Sequence, residues 1–125
     1  MAIESENAKE EIKEIVSKCS RCGMCKAICP VFKIIREESV GPRGKAILLD
    51  NKVYDKILYE CTLCKGCEEF CAQNIELCSA IRKGRKVLVE KDQDTEAGKE
   101  MIENIRKHGN PFGKKKDNPD TLYCC

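Results

Sequence analysis

The chain of 125 residues has no tryptophan, one histidine, four prolines, and only three tyrosines and three phenylalanines. So few large rings leave a modest core. Small domains of this kind are commonly held together by a metal or by disulfides. One histidine excludes zinc sites of the two-cysteine, two-histidine type. The haem-attachment sequence Cys-x-x-Cys-His does not occur. No apolar run approaches the length of a membrane span. Residues 1–13 are charged and lack the apolar stretch of a secretory signal. The expectation is a cytoplasmic protein without a transmembrane segment. Alternating strand patterns and Asn-Gly or Asp-Gly hairpin turns are also missing, which points to an all-α fold.

Cysteine is the exception to this scarcity, with 11 residues. Eight of them form one frame written twice. Cys19-x-x-Cys22-x-x-Cys25-x-x-x-Cys29 returns as Cys61-x-x-Cys64-x-x-Cys67-x-x-x-Cys71, each cysteine 42 positions after its counterpart. The odd count and the tight clustering oppose a secreted disulfide framework. Zinc sites usually join Cys-x-x-Cys pairs, whereas each copy here offers four thiols. Three thiols spaced by three can close around one face of an iron–sulfur cube. The fourth, followed at Cys29 by Pro30, is turned away and ligates the other cluster in two-cluster ferredoxins. The frame therefore predicts two 4Fe–4S clusters. Cys19, Cys22, Cys25 and Cys71 would hold the first, and Cys61, Cys64, Cys67 and Cys29 the second. Eight thiolates and two cluster cores would turn the formal charge of +2 into about −2, because bound thiols are deprotonated. A basic balance thus gives no support to nucleic-acid binding.

The rest of the chain reads as helices around this frame. Ile12, Ile15, Val16 and Cys19 place an apolar stripe on a helix over 6–18, with Ser5 as its cap. Gly23 lets the first loop pass close to inorganic sulfur. Pro30 is expected to stop the turn, with Val31, Phe32, Ile34 and Ile35 covering the site from water. Gly41-Pro-Arg-Gly-Lys45 fails as a phosphate loop, because Ala46 follows Lys45 and position 39 is serine. Pro42 instead suits a first helical turn. Arg43 and Lys45 are read as solvated charges, with contact to the anionic clusters as the alternative. Val53, Tyr54, Ile57 and Leu58 suggest a helix over 52–60. Asn74 is read as the cap of a helix through about 89, carrying Ile75, Cys78, Ile81 and Leu88 and weakened by Gly84. Thr95 caps the last helix, with Met101, Ile102 and Ile105 inward and His108 and Gly109 at its end. His108 has no companion polar group that would make it a catalytic base. Cys78 is read as a buried small apolar residue, since eight ligands already exist. The division expected is a helical dicluster domain over 1–109 and a polar, flexible tail over 110–125, with Lys114, Lys115 and Lys116 and a terminal Cys124-Cys125 pair.

Cys19-Ser-Arg-Cys-Gly-Met-Cys-Lys-Ala-Ile-Cys-Pro30, Gly41-Pro-Arg-Gly-Lys45 and Cys61-Thr-Leu-Cys-Lys-Gly-Cys67 resemble the α-helical dicluster ferredoxin domain. That domain occurs in the iron–sulfur subunit of glycolate and lactate oxidases and in heterodisulfide reductase. Asn110-Pro-Phe-Gly113 is similar to the segment that follows it there. Ala72 departs from the family's usual proline, and Cys78 is an extra thiol. The resemblance implies electron relay between a flavoprotein or a heterodisulfide-reductase-like catalytic subunit and a second carrier, possible in a peripheral membrane complex. The chain is then an electron-transfer subunit more than a catalyst alone. The alternatives are an electron-input part of a larger enzyme, or a sensing or structural module. A later Cys-Cys-Gly motif of the family is not reproduced, because no glycine follows Cys125. Cys124 and Cys125 are read as exposed tail cysteines, the alternative being a tail that docks on a catalytic partner.

Overall fold

The computed structural model describes residues 2–114, and among these the chain is helical, without a strand. The all-α expectation holds. The first helix, α1, runs Ala2–Val16. It starts ahead of the expected residue 6, so Ser5 lies inside it and is no cap. Glu4 in its first turn complements the helix dipole there. Ala8, Ile12 and Val16 recur every fourth residue and are all buried.

The chain leaves α1 for the first cysteine loop, which closes in a 3₁₀ turn at Met24–Ala27. Helix α2, Pro30–Ile35, follows directly. Pro30 starts this helix rather than stopping the chain, because proline fits the first helical position. The Sγ of Cys29 caps it by accepting the Phe32 N–H at 3.5 Å. Ile34 and Ile35 do not cover a site: they are 84% and 42% exposed. After a short turn at Glu38–Val40, helix α3 spans Pro42–Asp50, with proline again in its first turn. The helix expected over 52–60 shrinks to a 3₁₀ turn, Lys56–Glu60. The Val53 N–H is held by the Leu48 carbonyl, Lys52 has φ 58°, and Asp55 caps the turn at Ile57. The second cysteine loop ends in α4, Gly66–Glu69.

Helix α5, Leu77–Glu90, begins three residues after the expected Asn74. Asn74 sits at φ 51°, a left-handed turn residue rather than a cap. Helix α1 packs on α5 and α3. Between them Ile12, Leu49, Leu58, Ile81 and Leu88 are at most 1% exposed. Each such side chain contributes roughly 1.5–3 kcal/mol on burial. Gly84 is part of this packing rather than a flaw. A Cβ there would stand 2.8 Å from Leu58 Cδ1 and 3.1 Å from Leu49 Cδ2.

The chain divides after Gln93 into two compact units. The second contains α6, Glu96–His108. Thr95 caps it through the Gly98 N–H, and Gly109 at φ 72° ends it, both as expected. Met101, Ile102 and Ile105 are not inward, each being about half exposed. The Asn104 side chain donates to the Pro111 carbonyl at 3.2 Å, and the Phe112 N–H donates to Asn110. Lys115, Lys116, Cys124 and Cys125 lie outside the described residues.

Candidate metal centre

The two cysteine loops share one backbone plan. Arg21 and Gly23 in the first loop have φ 59° and 79°; Leu63 and Lys65, each 42 positions later, have φ 56° and 63°. The turns that follow, Met24–Ala27 and Gly66–Glu69, keep the same offset. Left-handed conformations at Arg21, Leu63 and Lys65 each cost about 1 kcal/mol or more. A chain that repeats this strain at matching positions holds its thiols and N–H groups in one required geometry. Hydrogen bonds to the sulfurs are visible in both loops. The Leu63 N–H donates to Cys61 Sγ at 3.4 Å. The Met24 N–H pulls the Cys22 thiol below its ordinary value.

Two hollows lie under these loops. The first is lined by Cys19, Cys25 and Cys71, with Arg43 and Ile75. The second is lined by Cys29, Cys61, Cys64 and Cys67, with Lys45 and Cys78. The fourth cysteine of each copy therefore faces the hollow of the other copy. Cys67, Pro42 and Leu77 border both hollows. Cys22 and Cys64, the second thiols of the two loops, are exposed. Each thiolate of a cube binds a different iron, so thiols spread around a hollow suit a cluster.

Burial raises the Cys25 and Cys67 thiols above their ordinary values, more so at Cys67. Burial favours the neutral form of these two thiols until a metal binds, so metal uptake there releases protons. Arg43 joins the first site: its Nη1 donates to the Arg21 carbonyl at 3.3 Å. Its Nε donates to Glu38 at 2.6 Å, and Lys26 donates to the same carboxylate at 2.9 Å. These bonds, that from Arg43 first, bring the Glu38 carboxyl down to about 2. Lys45 is not the solvated charge expected. It is 1% exposed, its ammonium donates to the Val40 carbonyl, and it lines the second hollow. Arg85 anchors the entry to the second loop. Its guanidinium donates to the Leu58 and Cys61 carbonyls and lies over the Tyr59 ring.

Cys78 is buried as expected, at 2% exposure, but its position is more particular than a core filler's. It shares a hydrogen bond with the Cys67 thiol, and its N–H donates to Glu68 at 2.7 Å at the start of α5. With four other thiols already on the second hollow, Cys78→Ala is expected to keep both clusters. Iron content and both electron paramagnetic resonance (EPR) signals should match the wild type; loss of one cluster would make Cys78 a ligand.

Two adjoining hollows, each drawing thiols from both copies of one frame, define an iron–sulfur domain built for a pair of clusters. Residues 15–75 match the 4Fe-4S dicluster domain family, and the cofactors are 4Fe–4S clusters. The chain is similar to the glycolate oxidase iron-sulfur subunit of Escherichia coli, at 32% identity over 89 residues, 65% of this chain and 22% of the relative. It is similar to lactate utilization protein B of Bacillus cytotoxicus, at 31% over 96 residues, 70% of this chain and 20% of the relative. It also resembles one of the subunits of the H(2):CoB-CoM heterodisulfide,ferredoxin reductase of Methanothermobacter thermautotrophicus, at 29% over 89 residues, 65% and 45% of the two chains. The chain spans less than half the length of each of these relatives. The domain and its relatives are those of iron–sulfur electron-transfer subunits. Among the described residues no helix is long and apolar enough to cross a membrane.

Proposed function

We propose that the chain relays electrons through two clusters between a redox partner subunit and a second carrier. Cys19, Cys22, Cys25 and Cys71 hold one cluster; Cys61, Cys64, Cys67 and Cys29 hold the other. The observation that carries this reading is the crossing of Cys71 and Cys29 into each other's hollows. Bound there, fully thiolate-ligated clusters supply one-electron storage with no vacant iron position. The chain's own residues do the rest. Val40, Leu77 and Ile81 keep water from the second hollow, and Ile75 and Leu77 from the first. The shared wall of Cys67, Pro42 and Leu77 keeps the two sites adjacent. The partner in this reading is a flavoprotein or a heterodisulfide-reductase-like catalytic subunit, the latter suggested by one relative's name, and the compartment in this reading is the cytoplasm. The relatives' greater length favours a second form of the same reading, an electron-input domain of a larger enzyme. The division into a dicluster domain over 1–109 and a tail over 110–125 remains part of this proposal.

Anaerobic reconstitution should yield about eight iron and about eight sulfide per chain, the content of two cubes. Reduction should then produce the EPR signals of two interacting centres. Two zinc ions with negligible sulfide, in protein never exposed to air, would overturn the reading.

A further inference from the structure

The first hollow has one cation on its wall, Arg43, and the second has two, Lys45 and the exposed Lys65; Arg43 and the buried Lys45 are placed differently. Arg43, beside the first hollow, is 29% exposed at its side chain and donates to the Glu38 carboxylate at 2.6 Å. Lys26 converges on the same carboxylate. Much of the Arg43 charge is therefore answered by an acid and screened by solvent. Lys45, beside the second hollow, is 1% exposed and its ammonium donates to a neutral acceptor, the Val40 carbonyl. Burial works against the Lys45 charge, and the Cys61 and Cys29 sulfurs of the hollow, when ionised, work for it, ahead of the Glu60 carboxylate. A buried charge interacts through a low effective dielectric, so its field reaches the hollow with little loss.

We propose that Lys45 makes the second cluster the electron sink of the pair, so that electrons pass from the site of Cys19, Cys22 and Cys25 to the site of Cys61, Cys64 and Cys67. The inference rests on the two-cluster reading above. Adding an electron makes a cluster more negative, and a fixed positive charge at its wall favours that state. Net charge, hydrogen bonding and solvent exposure are the terms that set such potentials. Here the charge term separates two loops whose backbone plans match.

The test is an EPR-monitored redox titration of anaerobically reconstituted protein, with the signals assigned through Cys29→Ser. In the wild type the signal perturbed by Cys29→Ser should be the one reduced first. Lys45→Met keeps the bulk and removes the charge. At fixed ambient potential it should lower the reduced-to-oxidised ratio of the second cluster about tenfold, about 59 mV for a one-electron couple, and move the first cluster less. Lys45→Arg should restore the wild-type order. Glu38→Gln, at an exposed position, probes the same asymmetry without touching the buried lysine. It should raise the first cluster's potential and narrow the gap. Equal potentials in the wild type, the reverse order, or equal shifts of both clusters in Lys45→Met would overturn the proposal. Absence of iron and sulfide would instead overturn the two-cluster reading itself.

Discussion

Cys29→Ser is expected to disturb the cluster of the second loop, 32 or more residues away in sequence, and to leave the neighbouring Cys19 site nearly intact. Cys29 lines the hollow of Cys61, Cys64 and Cys67 and not that of Cys19 and Cys25. Serine is chosen because Cys29 also caps α2, accepting the Phe32 N–H. A serine oxygen is a good acceptor at that position, so the helix start survives while the sulfur ligand is lost. Iron should fall from about eight toward about four per chain, or stay with one shifted EPR signal, depending on whether the hydroxyl ligates. A spectrum altered only at the Cys19 site would reject the crossed ligation.

Gly44→Ala should be the most damaging single methyl in the first unit. Gly44 is buried in α3, where the turn Glu38–Val40 lies across it. A Cβ would stand 1.8 Å from the Glu38 carbonyl oxygen, 2.6 Å from its carbon and 3.1 Å from Ser39 Cα. All three are backbone atoms, so no side chain can swing aside. Overpacking in cores costs typically 1–3 kcal/mol, and a backbone clash on this scale belongs at or above the upper end. For a domain of this size about 3 kcal/mol lowers the melting temperature by roughly 10 °C or more. The same turn places Glu38 against Arg43 and Val40 against Lys45, so cluster retention should fall as well. A variant that melts with the wild type and keeps its iron would show that this approach can relax.

The parts that were legible in the sequence are those decided locally. The thiol frame and its 42-residue offset are written in the order of residues. Pro42, Thr95 and Gly109 act through their own backbone preferences, and each does what those preferences say. Errors arise where another segment decides. Asn74 looks like a cap, but the loop leaving Cys71 turns it to a left-handed conformation and delays α5 to Leu77. Gly84 looks like a helix fault until Leu58 and Leu49 are found against it. Lys45 has the composition of a surface residue. Its burial follows from the backbone fold that sets Val40 over its ammonium, which no periodicity along α3 could display. Ile34, Ile35, Met101, Ile102 and Ile105 fail in the opposite direction, as apolar residues that the described fold leaves uncovered.

The exposed thiols Cys22 and Cys64 would give the proposed relay two terminals. In the ligation proposed above, Cys22 would be the outward ligand of one loop, and Cys64, which lines only the second of the two hollows, the outward ligand of the other. A carrier with a single exposed edge must release its donor before meeting its acceptor. With one outward ligand per loop, the donor can rest on one terminal while the acceptor occupies the other. On the relay proposed above, such a domain would work as a fixed junction in an assembly, its throughput set by passage between neighbours rather than by repeated diffusion and docking.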